Sequence, residues 1–359
     1  MHEIEDLIDI EPYSLSKDEK NKAYNKILNK LTIHHYNNCK EYKKILDTLK
    51  INPSLNNDIK STPSLPVRLF KEYDLHSVDK SDIIKTMTSS GTSGQSVSKI
   101  FLDKSTATMQ TKILAKILSN FIGKKRLPML IIDTKAILKN RTSFSARGAG
   151  ILGFTMFGFD VTYALNEDMS IDFESVRLFL DKHKDKDILI FGFTSIIWEH
   201  FHKALLNSSD NKINIDKGIL IHGGGWKKLE SQSVDSLTFK KMIESSCGIK
   251  KIYNYYGMIE QTGSIFMECE EGHLHCSIYS DIDILNESLE IVDKNQSGLV
   301  KLYSVLPYSY PGHIILTEDS GEILGEDDCP CGRKGKYFKI YGRVKNAEVR
   351  GCSDTYELK

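Results

Sequence analysis

Three short apolar runs constrain the fold of this chain most tightly. Pro128–Ile132 (PMLII), Ile188–Phe191 (ILIF) and Ile219–Ile221 are apolar at successive positions, so both faces of each pleat ask for cover. Helix-length segments lie beside them. Ala107–Phe121 precedes the first run, and the second leads through Gly192-Phe-Thr-Ser195 into an apolar helix that includes Trp198. Strands alternating with helices predict an α/β fold, with mixed and largely parallel sheets and flanking helices. In such sheets ligands collect in the loops beyond the C-terminal ends of the strands. Three stretches are candidates for such loops: the Ser/Thr/Gly segment after Thr86, Gly223–Gly225 after the third run, and the turn Tyr255-Tyr256-Gly257. A glycine-rich turn is also expected at Arg147–Gly153.

Ahead of this core, Ser16-Lys-Asp-Glu19 has the capping-box pattern, and Ala23, Tyr24, Ile27, Leu28 and Leu31 follow at helical spacing. The lysines on the other side are read as a solvated face. Tyr42, Ile45, Leu46 and Leu49 mark another helix, and Pro63 and Pro66 break the chain before Val67, Leu69 and Phe70. Residues 1–80 are expected to form a helical lead-in, 81–341 the core, and 342–359 a hinge with a short tail. The charged, glycine-punctuated stretch Lys336–Lys359 is read as tail. From about residue 281 the pattern changes to short alternating strands, at Ile282 and Ile284, Leu289–Val292, Leu299–Val305 and Ile314–Leu316, which predicts a β-rich subdomain within the core.

Lysine plus arginine and aspartate plus glutamate both number 48, which argues against bulk nucleic-acid binding. No apolar run reaches the ~18–20 residues of a membrane-spanning helix. Met1–Tyr13 is acidic and lacks the basic start of an export signal. The seven cysteines are therefore read as thiols, thiolates or metal ligands in a reducing compartment, the cytoplasm.

Within Thr86–Lys99 (TMTSSGTSGQSVSK), Thr88, Ser89, Ser90, Thr92 and Ser93 supply hydroxyls, and Lys99 adds a cation. Gly91 and Gly94 let backbone N–H groups come close to an anion. This composition can cradle phosphate, although it is not a Walker loop, because no Gly-Lys-Ser/Thr step opens a helix. Flexible linkers use the same residues. The segments flanking it closely favour an internal turn.

Three later segments show what this loop resembles. Tyr256-Gly-Met-Ile-Glu260 matches the Tyr-Gly-x-x-Glu signature of the acyl-adenylate-forming superfamily. Thr317-Glu-Asp319 resembles its Thr-Gly-Asp, with Glu318 in place of glycine, and Gly342-Arg-Val-Lys345 resembles its hinge. With the Ser/Thr/Gly loop and the glycine run they stand in the superfamily's order. Within it the chain most resembles the acyl-protein synthetases of bacterial fatty-acid reductase complexes, the LuxE family. The resemblance lies in Leu65-Pro-Val67, Phe70-Lys71, Thr88–Thr92, Gly223–Lys227, Tyr310-Pro-Gly312 and Gly351-Cys352. Cys329-Pro-Cys-Gly-Arg333 looks more like the phenylacetate-CoA ligase branch.

The resemblance implies an enzyme of the adenylate-forming fold. It would join a carboxylic acid, a fatty or other apolar one, to ATP, release pyrophosphate, and pass the acyl group to a thiol. Glu260 is then the Mg²⁺ ligand, while Thr88, Ser89, Ser90, Gly91, Thr92 and Gly94 with Lys99 hold phosphate. Asp319 accepts from the ribose hydroxyls. Gly224, Gly225 and Tyr255 border the adenine, and Tyr256, Gly257 and Arg343 complete the nucleotide site. The acyl group is expected near Gly150–Phe154 and Gly192–Ser195, apolar and glycine-rich as a tunnel wall needs to be.

In full-length members of the superfamily a domain with a catalytic lysine follows the hinge. Here about 15 residues follow Lys345, too few to form a core, so the work of that lysine is expected to fall to Lys99 and Mg²⁺ or to another residue. Cys352 matches the position at which the LuxE family is acylated, and a thiolate is the best side-chain nucleophile at neutral pH. Its expected partner is an acyl reductase. Two alternatives stand beside this reading: direct transfer to coenzyme A or a carrier protein, and a non-catalytic nucleotide-binding partner of a reductase. A structural zinc site is expected from Cys269, His275, Cys329 and Cys331, with His273 and Cys276 as alternates, because clustered thiols and imidazoles suit a closed four-ligand site. Unpaired buried thiols are the other reading.

Overall fold

The computed structural model describes residues 2–54, 58–89, 97–138, 146–208 and 212–344. The chain divides into two compact units. The first holds the described residues up to Ser89, from 97 to Asn120 and from Gly257 onward, and the second holds those from Phe121 to Tyr256.

The first unit begins with helices. Lys17–Asn38 starts at the expected capping box, where the Glu19 carboxylate accepts from the Ser16 backbone N–H at 2.9 Å and from its hydroxyl at 2.6 Å. Tyr24, Ile27, Leu28 and Leu31 are buried as their spacing predicts. Lys20 departs from the expected solvated face. It is buried, donates to the Ser280 carbonyl at 2.8 Å and lies 3.5 Å from the Asp281 carboxylate. Lys40–Thr48 forms the next helix, with Tyr42 and Leu46 inside. Then come β1 (Leu65–Pro66), the short helix Leu69–Glu72, and the hairpin strands β2 (Ile83–Thr88) and β3 (Lys99–Asp103), paired antiparallel.

The second unit is a parallel sheet. Its strands are β4 (Leu127–Thr134), β5 (Gly158–Leu165), β6 (Ile188–Phe193), β7 (Gly218–Gly223) and β8 (Lys251–Tyr256), in the order β5-β4-β6-β7-β8. Every residue of β6 and β7 is buried, which is why these strands read as unbroken apolar runs. The glycine-rich turn expected at Arg147–Gly153 is instead part of the helix Ala146–Thr155. Arg147 anchors the start of that helix from a fully buried position, its Nε donating to Asp133 Oδ2 at 2.6 Å and its Nη2 to Oδ1. Gly150 is needed there for close packing, since a Cβ on it would lie 3.0 Å from the Phe193 ring.

Returning to the first unit, the chain builds an antiparallel sheet from β9 (Phe266–Glu268), β10 (Leu274–His275), β11 (Ser280–Leu285), β12 (Ser297–Ser304), β13 (Ile314–Glu326) and β14 (Lys336–Arg343). Their order is β11-β12-β13-β14-β10-β9, with β1 alongside β13. Two expectations are corrected here. Leu289–Val292 is not a strand: Leu289 has φ 62° and is exposed, and Ile291 makes an isolated bridge to Leu285. Lys336–Arg343 is not tail but β14, with Lys336 and Phe338 buried and Lys339 exposed between Phe338 and Ile340, in an antiparallel ladder to β13.

Buried histidines give this fold a pH dependence. His35 accepts from the Ser77 hydroxyl at Nδ1 (2.8 Å) and donates from Nε2 to the Pro307 carbonyl (3.1 Å). His313 donates from Nε2 to Thr32, whose own proton goes to Leu28, and its buried Nδ1 has no hydrogen-bond partner. Burial holds His35 well below the usual histidine range and pushes His313, and His222 in the second unit, down to about 3. All three stay neutral when folded and take up a proton on unfolding below pH 6.5. Their stabilising contribution is therefore complete above 6.5 and is lost as pH falls from there, for His313 and His222 down to about 3, with a slope of about 1.4 kcal/mol per pH unit for each group. The urea midpoint is expected to fall between pH 7.5 and 5, and an unchanged midpoint would refute this.

Candidate active site and metal centre

In the first unit Ser98, at the base of the Ser/Thr/Gly loop, and the cations of Lys71 and Arg343 lie around Glu260. Glu260 sits in the 3₁₀ turn Ile259–Gln261 and is 5% exposed, so it is not a surface carboxylate. Burial pushes its carboxyl up, while the Ser98 hydroxyl beside it and the cations of Lys71 and Arg343 pull the other way. The turn is fixed from behind by Tyr310-Pro-Gly312. Gln261 donates to the Gly312 carbonyl at 2.9 Å, and a Cβ on Gly312 would strike the Glu260 carbonyl. Ser98 also ties the base of the Ser/Thr/Gly loop. Its N–H donates to the Ser89 hydroxyl at 2.9 Å, and the Ser89 N–H returns a bond to its carbonyl at 3.0 Å. The loop residues Ser90, Gly91, Thr92 and Gly94, like the C-terminal Cys352, lie outside the described residues.

Asp319 and Arg343 are brought together by the β13–β14 ladder, in which they are direct partners and Ser320 faces Gly342. The Asp319 N–H donates to Thr317 Oγ1 at 3.1 Å. Glu318, which stands where the superfamily motif has glycine, lies 3.7 Å from the Arg343 guanidinium. Gly342 has φ 105°, a conformation that side chains rarely take. Thr88 and Lys99 are cross-strand partners at the loop's two ends, and the Lys99 ammonium bonds the Asp74 carboxylate at 3.0 Å.

In the second unit the expected residues lie at the C-terminal ends of the parallel strands, where an α/β sheet presents its ligand loops. Tyr255 and Tyr256 end β8, and Gly224 and Gly225 follow β7 with Gly224 at φ 79°. A Cβ on Gly223 would run into the Tyr255 ring. Phe154 stacks on Phe191 at 4.0 Å and tilts against Tyr255 at 5.4 Å, and Phe191 in turn meets the Phe193 ring edge-on at 5.8 Å, so the segments Gly150–Phe154 and Gly192–Ser195 are joined through one aromatic cluster. Gly257, the next residue of the signature, belongs to the first unit and is exposed.

A second cluster in the first unit has the chemistry of a metal centre. The donor atoms of Cys269, His275, Cys329 and Cys331 all lie within 4.8 Å of one another. Cys331 Sγ is 3.4 Å from His275 Nε2, close to the ~3.5 Å edge that bonds of ~2.3 Å to sulfur and ~2.0 Å to nitrogen give a tetrahedron. The donors come from the end of β9, from β10 and from the β13–β14 connection. In the protein alone, burial raises the Cys269 thiol and pushes Cys329 up to about 12. A bound cation is what would hold them as thiolates. Of the alternates, His273 reaches Cys329 at 3.5 Å. Cys276 falls outside the four-residue cluster and is buried near the charges of Lys20, Asp281 and Lys336.

Comparison with known proteins decides the family. The profile of the acyl-protein synthetase family, LuxE, matches residues 1–359. The chain belongs to that family. Two relatives carry the name long-chain-fatty-acid–luciferin-component ligase. The one from Aliivibrio fischeri is 24% identical over 368 residues, covering 98% of this chain and 92% of the relative. The one from Vibrio harveyi is 23% identical over 371 residues with the same coverage. As a LuxE-family member the chain is a ligase-like acyl-protein synthetase. Its fold is shared with a 2-hydroxyisobutyryl-CoA ligase solved with 2-HIB-AMP and CoA, at a TM-score of 0.68 and 16% identity over 94% of this chain and 79% of that one. No helix among the described residues is long and apolar enough to cross a membrane.

Some of the groups around these LuxE-family motifs were not singled out by sequence. Ser98 is one more serine at the end of a serine-rich loop. Phe70-Lys71 and Tyr310-Pro-Gly312 were visible as family resemblances, but their place beside Glu260 was not.

Proposed function

We propose that this protein activates a fatty or other apolar carboxylic acid with ATP and then carries the acyl group on Cys352. A carboxylate oxygen attacks the α-phosphorus, and the bond to the leaving pyrophosphate breaks, giving acyl-AMP. The Cys352 thiolate next attacks the acyl carbonyl, a C–S bond forms, and AMP leaves with the electrons of the broken C–O bond. The thioester is then delivered to an acyl reductase. The observation that carries this reading is the convergence at Glu260, where the base of the Ser/Thr/Gly loop meets a buried carboxylate flanked by Lys71 and Arg343.

Glu260 is a hard oxygen donor suited to Mg²⁺, which when bound offsets the charge of the phosphates. The loop hydroxyls and N–H groups from Thr88 to Gly94, with Lys99, hold the phosphates. Asp319 takes the ribose hydroxyls, and Arg343 and Gly342 form the hinge of a tail that carries Cys352. Gly224, Gly225 and Tyr255 border the adenine, with Tyr256 and Gly257 beside them in the signature. The cluster of Cys269, His275, Cys329 and Cys331 holds a structural zinc ion.

The test is incubation with ATP, Mg²⁺ and a panel of labelled acids. Acid-dependent ATP–pyrophosphate exchange is expected, with hydroxylamine-labile label on the intact chain by mass spectrometry. Cys352→Ser should leave exchange within about twofold of the parent and abolish the label, because the first step does not use the thiol. A thioester on the serine variant would place the carrier at another cysteine. Exchange without any label would favour coenzyme A or a carrier protein as acceptor. ATP binding with no exchange across the panel would sink the enzymatic reading and favour a non-catalytic partner.

A further inference from the structure

Two neighbouring residues join the acyl side of the second unit to its adenine side. Phe193 ends β6 and Thr194 opens the helical segment that follows. The Phe193 ring lies between two glycines. A Cβ on Gly150 would be 3.0 Å from its Cζ, and a Cβ on Gly224 would be 3.3 Å from its Cδ1. Gly150 belongs to the expected acyl wall and Gly224 to the expected adenine border. The ring therefore fills the space between them, and neither glycine can gain a methyl without pressing on it.

Thr194 makes the second tie. Its hydroxyl is 2.9 Å from His222 Nδ1 and 3.2 Å from the Gly223 carbonyl, and both side chains are buried. A threonine has one hydroxyl proton. Given to the Gly223 carbonyl, it leaves the oxygen to accept, so His222 must carry its proton on Nδ1. The chain of donors runs from His222 Nδ1–H to Thr194 Oγ1–H to the Gly223 carbonyl. It fastens the start of the helix after β6 to the last two residues of β7, the second of which opens the glycine run. The His222 ring is held in turn against Phe239, with centroids 4.5 Å apart.

We propose that Phe193 and Thr194 are positioning residues that make acid binding and ATP binding mutually dependent. Resting on the function proposed above, an acyl chain seated against Gly150 bears on the Phe193 ring, which bears on the Gly224 turn, while the Thr194 relay keeps the two strand ends in register so that the push is transmitted. The adenine border reaches its binding geometry when the acyl side is filled. Linkage makes the effect reciprocal: ATP tightens the acid by the same factor as the acid tightens ATP.

The test varies acid and ATP together in the exchange assay and extracts the factor by which each changes the apparent affinity of the other. The parent is expected to show an interaction on the order of tenfold. Thr194→Val keeps the shape and removes both hydrogen bonds, so the factor should fall to within about twofold of unity. Thr194→Ser restores the hydroxyl and should restore the factor, a rescue that loss of general stability would not give. Gly150→Ala supplies a readout that needs no turnover: its methyl presses on Phe193, so calorimetric ATP affinity without acid should change severalfold. A parent factor of unity overturns the proposal, as does a Thr194→Val factor equal to the parent's, or, should that variant not fold, an unchanged ATP affinity in Gly150→Ala. Exchange in the parent is itself the check on the underlying function, so the failure of one reading is distinct from the failure of the other.

Discussion

Glu260→Gln is expected to lower acid-dependent ATP–pyrophosphate exchange by about 10²–10³-fold without lowering the melting temperature. Glutamine keeps the size of the side chain and one accepting oxygen but removes its charge. The native carboxyl is buried and its ordinary value is raised by that burial. A group raised in the folded state contributes stability below its unfolded value, and loses it as pH rises through the folded one. Burial thus opposes the charge on Glu260, an effect offset in part by Ser98, Lys71 and Arg343. A neutral amide carries no such charge, so stability should hold or rise while activity collapses. This opposition separates a metal-binding role from a structural one. A Gln variant that kept exchange within threefold of the parent would show that Glu260 is not the Mg²⁺ ligand. A variant that lost both exchange and stability would show a packing role instead.

The same residue shows what the sequence could disclose. Tyr256-Gly-x-x-Glu260, Thr317-x-Asp319 and Gly342-Arg343 were legible because each motif is local, and the β13–β14 ladder then sets the last two opposite each other. The parallel strands were legible because burial on both faces leaves no polar position to confuse the pattern. What failed had distant causes. Lys20 looks like any surface lysine, and its partners Ser280 and Asp281 lie about 260 residues away, a separation that helical periodicity cannot sense. Arg147–Gly153 looked like a turn because of its glycines, yet Gly150 is small to admit the Phe193 ring, not to free the backbone. Lys336–Arg343 looked like tail because its charges hide an alternation that the neighbouring strand resolves. The Thr194–His222 relay joins residues 28 apart with no motif between them.

Removal of zinc from the Cys269, His275, Cys329 and Cys331 site should be the most damaging change to the first unit. Purified protein is expected to contain one zinc per chain. Chelation, or Cys329→Ser, should lower the melting temperature on the order of 10 °C, given the roughly 2–4 °C per kcal/mol of a domain this size. The argument is topological as well as chemical. The four donors are supplied by the end of β9, by β10 and by the connection that leads from β13 into β14. That connection ends in the strand whose last residue, Arg343, faces Asp319. A closed tetrahedral site contributes about 10–16 kcal/mol in small zinc peptides, much of it offset here because the sheet has its own core. Without the ion, the Cys269 and Cys329 thiols are left buried and close together, and burial already opposes their ionisation. Loosening of β14 should then raise the ATP requirement of exchange by moving Arg343 and Asp319 out of register. Cys276→Ser is the control, since Cys276 falls outside the four-residue cluster, near the charges of Lys20 and Lys336, and its loss should leave zinc content unchanged. Well under one zinc per chain in freshly purified protein would remove the site altogether. Full zinc content in Cys329→Ser would mean that the fourth donor is another group, with His273, 3.5 Å from Cys329, first in reach.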